Sequence, residues 1–144
     1  MKLTRFTDYS LRVLIYLGIR KDARVTEGEI AKRFNISPNH LMKIVQHLSR
    51  EGYLQTSRGR QGGVRLATSP ASINIADVVR STESTHDVIN CFEPHCPIVG
   101  ACRLQGALGQ ARDAFFAVLD AYTLESLLRN EQELARRMSG TRDT

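Results

Sequence analysis

Residues 26–52 read TEGEIAKRFNISPNHLMKIVQHLSREG, and this stretch decides the fold. Thr26-Glu27-Gly28-Glu29 opens it as a capping box, in which the Thr26 hydroxyl accepts from an orphan amide and Glu29 reaches back to the cap amide. The helix it starts runs to about Phe34. Asn35-Ile36 then forms a short turn. Ser37 caps a second helix, and Pro38 takes a first-turn position where its missing amide proton costs nothing. Leu41, Ile44, Val45 and Leu48 recur at helical spacing on one face, and Gly52 stops the run. Two helices joined by so short a turn, the second opening on short polar side chains, make a helix-turn-helix. The residues offered to DNA are Ser37, Asn39, His40 and Lys43. Asn39 presents an amide to a base, His40 can donate or stack, and Lys43 reaches a guanine or a phosphate.

Upstream, Phe6, Tyr9, Val13, Tyr16 and Leu17 give one apolar face to a helix over residues 4–19. Gly18 lies near its end, and residues 21–24 form a polar connection. Downstream, residues 53–56 and 64–67 read as two short strands around Ser57-Arg58-Gly59-Arg60-Gln61-Gly62-Gly63, a basic, glycine-rich tip. This is a wing. Arg58 and Arg60 suit phosphate contact or minor-groove insertion, Gly59 and its fellow glycines allow close backbone approach, and Arg65 adds a phosphate contact from the strand. Residues 72–74 offer caps to a short helix from Ile75 to about Thr82. Periodicity is then lost until a long helix begins near Cys102. Its stripe of Leu104, Ala107, Leu108, Ala111, Phe115, Val118, Leu119 and Tyr122 has roughly heptad spacing. Thr123 caps a last short helix, and residues 139–144 should fray. The expected fold class is mainly α with a small β-wing. Its expected divisions are a winged helix-turn-helix over residues 1–82, a cysteine loop over 83–102, helices over 103–138, and a tail.

Charge supports the reading. The chain of 144 residues carries a formal +5, but residues 1–70 alone hold 13 Lys and Arg against 5 Asp and Glu. The basic half is where DNA should sit. The longest apolar runs, such as residues 13–17, fall far short of the ~20 residues that span a bilayer. The N-terminus lacks the features of a secretion signal, so a reducing, cytoplasmic setting is expected. No nucleophile, base and orienting group occur together, which argues against an enzyme.

Cys91, Cys96 and Cys102 are the only cysteines, spaced C-x4-C-x5-C in a loop with two prolines and a glycine. Their odd number disfavours a disulfide framework. Three soft thiolates leave three chemistries open: an iron-sulfur cluster, a Cys3His zinc site completed by His95 or His86, or a redox pair of thiols.

The chain resembles the winged-helix iron-sulfur transcription regulators from Leu3 to about Leu128. The resemblance is carried by Phe6-Thr7-Asp8-Tyr9, by Asn39-His40-Leu41-Met42-Lys43-Ile44, by the wing Arg58-Gly59-Arg60-Gln61-Gly62-Gly63, and by Cys96 with Ala101-Cys102-Arg103-Leu104. The first two motifs are more similar to the family's nitric-oxide-sensing branch than to its cluster-biogenesis branch. The resemblance implies a repressor in which Cys91, Cys96 and Cys102 hold a cluster with Asp8 of the other subunit as fourth ligand. Arg12, one turn on, is placed to pair with Asp8. It further implies [4Fe-4S] in preference to [2Fe-2S], since a labile oxygen ligand leaves one reactive iron. A homodimer joined along residues 103–122, a pseudo-palindromic double-stranded operator and release of nitric oxide detoxification genes upon nitrosylation complete what it implies. The alternative is a regulator sensing cluster supply or thiol oxidation.

Overall fold

The structure is a computed structural model that describes residues 2–140. Helix α1 spans Arg5–Arg20, and the Thr4 hydroxyl caps it by accepting the Thr7 amide at 3.3 Å. Gly18 lies near the helix end, where a Cβ would come within 2.6 Å of the Leu128 side chain, and the helix ends at Lys21, with φ 53°. Helix α2 spans Glu27–Phe34, and Thr26 accepts the Glu29 amide at 3.1 Å. The reciprocal half of the expected capping box is not made. The Glu29 carboxylate accepts instead from the Tyr16 hydroxyl and lies 3.5 Å from Arg20, so partners on α1 displace its own cap amide.

Asn35, in the left-handed region, turns the chain, and Ser37 caps α3, Pro38–Arg50, by accepting the His40 amide at 3.3 Å. Helix α3 closes in a Schellman motif: Tyr53 N–H donates to Leu48 O at 2.9 Å and Gly52 N–H to Ser49 O at 3.1 Å, with Gly52 at φ 85°. The wing follows as β1, Leu54–Ser57, antiparallel to β2, Gly63–Leu66, each one residue away from its expected place. Leu54 pairs with Leu66 and Thr56 with Val64. Val25 adds an unexpected rung, exchanging both backbone hydrogen bonds with Val64 at 2.8 and 3.0 Å. That close approach sets the role of the glycines here. A Cβ on Gly63 would stand 2.8 Å from Val25 O, and one on Gly62 only 2.5 Å from Ser57 O. These two glycines serve internal packing, and Gly59, at φ +98° with open space around it, is the one that shapes the tip.

A 3-10 turn, Pro70–Ser72, precedes α4, Ile75–Thr82, which Asn74 caps. The cysteine loop then runs to α5, Arg103–Asp120. Two helices close the described chain where one was expected: α6, Leu124–Leu127, and α7, Glu131–Ser139. Acidic residues in the first turn of α7 and basic ones in its last suit the helix dipole. Ser139 is therefore helical, and the expected tail beyond residue 140 lies outside the described residues.

Leu14, Leu17, Ile30, Leu41, Ile44, Leu48, Val64, Ile73, Val78 and Leu124 are at most 1% exposed and pack as one core. Leu124 belongs to α6, and Thr123 bridges to Asn74, so the core crosses the boundary expected at residue 82. Helix α5 behaves differently. None of its 18 residues is buried, and Leu104 and Val118 are 57% and 61% exposed.

Candidate nucleic-acid interface and cysteine loop

Because Leu41, Ile44, Val45 and Leu48 turn inward, Asn39, Met42, Lys43, Gln46 and Arg50 are left on the outer side of α3. Between that side and the wing lies an open groove of about 620 Å³, lined among others by Met42, Gln46, Arg50, Thr56, Arg58 and Gly59. Glu27 contributes one acidic side chain to its rim, and the Ser49 hydroxyl is buried beside it without a hydrogen-bond partner.

Arg12, Arg80, Arg112 and Arg136 are held by carboxylates at 2.6–3.0 Å. Among the described residues, Lys43, Arg50, Arg58 and Arg60 have no ion-pair or side-chain hydrogen-bond partner; they are exposed on the outer side of α3 or on the wing, and Arg50 and Arg58 line the groove, while Lys2, Arg5, Lys32, Arg33, Arg103 and Arg129 are likewise unpaired elsewhere on the surface. Unpaired cations on one face give a field that draws a polyanion.

The residues expected from sequence do not all point into this groove. Asn39 and Lys43 are exposed, and the Ser37 hydroxyl is occupied as the α3 cap. His40 is turned away: its ring stacks on Phe6 at 6.2 Å and meets Tyr9 edge-on at 5.4 Å, so it packs α3 onto α1. Arg65 donates twice to Gln55 Oε1, at 2.8 and 3.0 Å, and lines a separate hollow with Lys21. Gln46, Arg50 and Arg24 were not singled out from the sequence. The first two continue the 39, 43, 46, 50 spacing, legible as the complement of the apolar face. Arg24 braces the wing by donating to Ser57 Oγ at 2.9 Å and Gln61 O at 3.4 Å, a contact across 33 residues that no local pattern announces.

The cysteine loop is built from turns. Cys96 N–H donates to Cys91 O at 3.0 Å, Val99 N–H to Cys96 O at 3.1 Å, and Asn90 Oδ1 takes the amides of Phe92 and Glu93. All three thiols are free, Cys91 buried and the others half-buried. Cys102 is the N-cap of α5 and makes no side-chain cap bond. Its thiol is therefore not engaged by the helix it begins. Of the histidines offered for a zinc site, His86 donates from Nε2 to Arg80 O at 2.9 Å and sits edge-on to Phe116, and His95 is exposed on the loop.

Among the described residues, no three His, Cys, Asp or Glu side chains converge closely enough to hold a metal ion. The donor chemistry, three free thiols on one loop that runs into a helix N-terminus, fits an iron-sulfur cluster with one position to be filled from elsewhere. Asp8, half-exposed on α1, is bonded to Arg12 at 2.8 Å, the pairing their spacing implies.

The Rrf2 family profile, described as "Iron-dependent Transcriptional regulator", matches residues 3–130. The chain is 44% identical over 140 residues to the HTH-type transcriptional regulator NsrR of Bacillus subtilis (strain 168), covering 94% of this chain and 96% of that one. It is 46% identical over 138 residues to the regulator of the same name from Geobacillus kaustophilus, covering 93% and 94%. Among solved structures, CymR, the global cysteine regulator of B. subtilis, superposes with a TM-score of 0.72 at 27% identity, over 88% of this chain and 95% of that one.

Proposed function

The chain belongs to the Rrf2 family of transcriptional regulators, and from that premise we propose that it is a homodimeric, sequence-specific repressor that senses nitric oxide through an iron-sulfur cluster. Its family relatives are regulators, and the chain is not an enzyme. The observation that carries the proposal is the joining, in one chain, of a groove flanked by unpaired cations to a loop with three free thiols.

In this reading α3 enters the major groove with Asn39, Lys43, Gln46 and Arg50 toward bases and phosphates. Arg58, Gly59 and Arg60 bring the wing to the adjacent backbone. Ser37 acts through the helix end it caps, and His40 by fixing how α3 sits on α1. Arg65 holds the hairpin through Gln55. The exposed stripe of α5 joins two copies, spacing the heads for half-sites of a pseudo-palindrome. Cys91, Cys96 and Cys102 hold the cluster, [4Fe-4S] in preference to [2Fe-2S], and Asp8 donated across the dimer completes its ligands. When bound, the cluster would supply an iron reactive toward nitric oxide. Asp8 would tie α1 to that centre, and α1 packs on α3 through Phe6 and Tyr9. A cytoplasmic setting follows from a DNA target, and no described helix is long and apolar enough to cross a membrane.

The test is anaerobic purification with iron and sulfide counting and Mössbauer spectra, followed by titration of nitric oxide into protein bound to operator DNA. Release of DNA at a few molecules per cluster supports the reading. A zinc-only protein, or binding unchanged by cluster loss, overturns it.

A further inference from the structure

The chain leaves α4 at Glu83 and enters the cysteine loop there. One oxygen of this half-buried carboxylate takes three donors from the start of α1: the Thr4 amide at 2.8 Å, the Thr4 hydroxyl at 3.1 Å and the Thr7 hydroxyl. The donors lie 76 and 79 residues away in sequence. Thr4 already caps α1 through its own hydroxyl, so Glu83 adds a second, tertiary cap from the root of the cysteine loop. A carboxylate at this end of a helix is also favoured by the dipole. Burial pushes the Glu83 carboxyl up, yet the bonds from Thr7 and Thr4 outweigh it and hold it below its ordinary value, keeping it charged.

The turn that Glu83 holds carries Phe6 and Asp8. Phe6 stacks on His40 at 6.2 Å and meets His47 edge-on at 5.4 Å, both on α3. His47 Nε2 in turn lies 3.3 Å from Ser81 Oγ, two residues before Glu83 on the same α4 end. Loop root, first turn of α1 and reading helix thus form a closed circuit of contacts. We propose that Glu83 is a positioning residue that ties the cysteine loop to the first turn of α1, so that a change in the loop moves Asp8 and, through Phe6, the seating of α3. The proposal rests on the cluster-sensing reading above for what changes the loop. A merely structural cap would lower stability, or DNA affinity in both states alike. A positioning residue alters how much the two states differ.

The experiment uses the full chain as wild type, Glu83→Ala and Glu83→Gln, each cluster-loaded anaerobically and each stripped with a chelator. Operator affinity is read by fluorescence anisotropy, cluster content by absorbance, and amide exchange of residues 4–9 on the stripped protein by mass spectrometry. In Glu83→Ala, exchange over residues 4–9 should quicken by about tenfold, the loss of a charge-assisted hydrogen bond. The loaded-to-stripped affinity ratio should fall about tenfold toward one, with cluster content retained. Glu83→Gln, which keeps an acceptor oxygen without the charge, should fall between. If Glu83→Ala does not fold, Thr7→Val removes one donor and should shift both readouts in the same direction. A wild-type ratio, or wild-type protection, in Glu83→Ala overturns the proposal. A wild-type protein whose affinity ignores the cluster overturns it together with the cluster-sensing reading, which separates the two failures.

Discussion

Replacing Arg58 with alanine tests the groove most directly, because the change expected is in the slope of affinity against salt. Lys43, Arg50, Arg58 and Arg60 are exposed and unpaired on α3 and the wing, with Arg50 and Arg58 lining the groove, and the proposed interface counts these four cations per head. A dimer with two heads brings about eight to the phosphates, and at about 0.9 per neutralised phosphate the slope of log K against log salt is about −7. Between roughly 50 and 200 mM salt, affinity then falls by about 2 × 10⁴. Arg58→Ala removes one contact per head, so the slope drops to about −5.4 and the fall to about 2 × 10³. The two binding curves therefore converge by about tenfold over that range as salt rises. Fluorescence anisotropy on labelled operator duplex at several salt concentrations measures this, with cluster content held constant by absorbance. Arg136→Ala is the control, since that guanidinium is already held by Glu133 at 2.6 Å and should leave the slope unchanged. Parallel lines for wild type and Arg58→Ala would refute the wing contact. A wild-type slope shallower than about −3 would refute the groove as the phosphate-binding face.

Three further outcomes follow from other parts of the molecule. Val118→Asp, at a position 61% exposed on α5, should keep its far-UV circular dichroism yet sediment as a monomer; a persistent dimer would remove α5 from the interface. Gly62→Ala drives a Cβ to 2.5 Å from a backbone carbonyl and should cost about 1–3 kcal/mol in urea unfolding while weakening DNA binding, and wild-type values in both would show that the hairpin yields freely. Tyr16 has its pKa raised, first by burial and then by its hydrogen bond to Glu29, so its neutral form favours the fold. That contribution is complete below the unfolded value of about 10 and is lost as pH rises through the folded one. Tyr16→Phe should therefore be less stable near pH 7 by about 1 kcal/mol and flatten the alkaline limb of the stability curve; an unchanged alkaline limb would discard the Tyr16–Glu29 bond as its source.

What was legible in the sequence was what local chemistry decides. Ser37, Pro38, the inward face of α3 and Gly52 specify a capped and terminated helix without help from the rest of the chain, and the structure keeps each of them. Lys43, Arg58 and Arg60 were offered to DNA from the sequence, and the structure leaves each of them exposed and unpaired, with their contact to DNA a part of the proposed function. The misreadings fall where a side chain has two possible partners and the nearer in sequence loses. Glu29 leaves its own cap for Tyr16, and His40 leaves the outer face for Phe6 and Tyr9. Each of these outcomes is decided on α1. The same helix receives Glu83 at Thr4 and Thr7 and exposes Asp8 beside Arg12. A sequence of local periods shows α1 only as an amphipathic helix, because its partners come from α2, α3, α4 and α6. An element that packs on the reading helix, is tied to the cysteine loop and still exposes a carboxylate is where a change at the cysteines has the shortest route to DNA. Cysteine spacing makes Cys91, Cys96 and Cys102 legible as donors, whereas the fourth ligand that the proposed function draws from a second copy has no spacing within one chain to read.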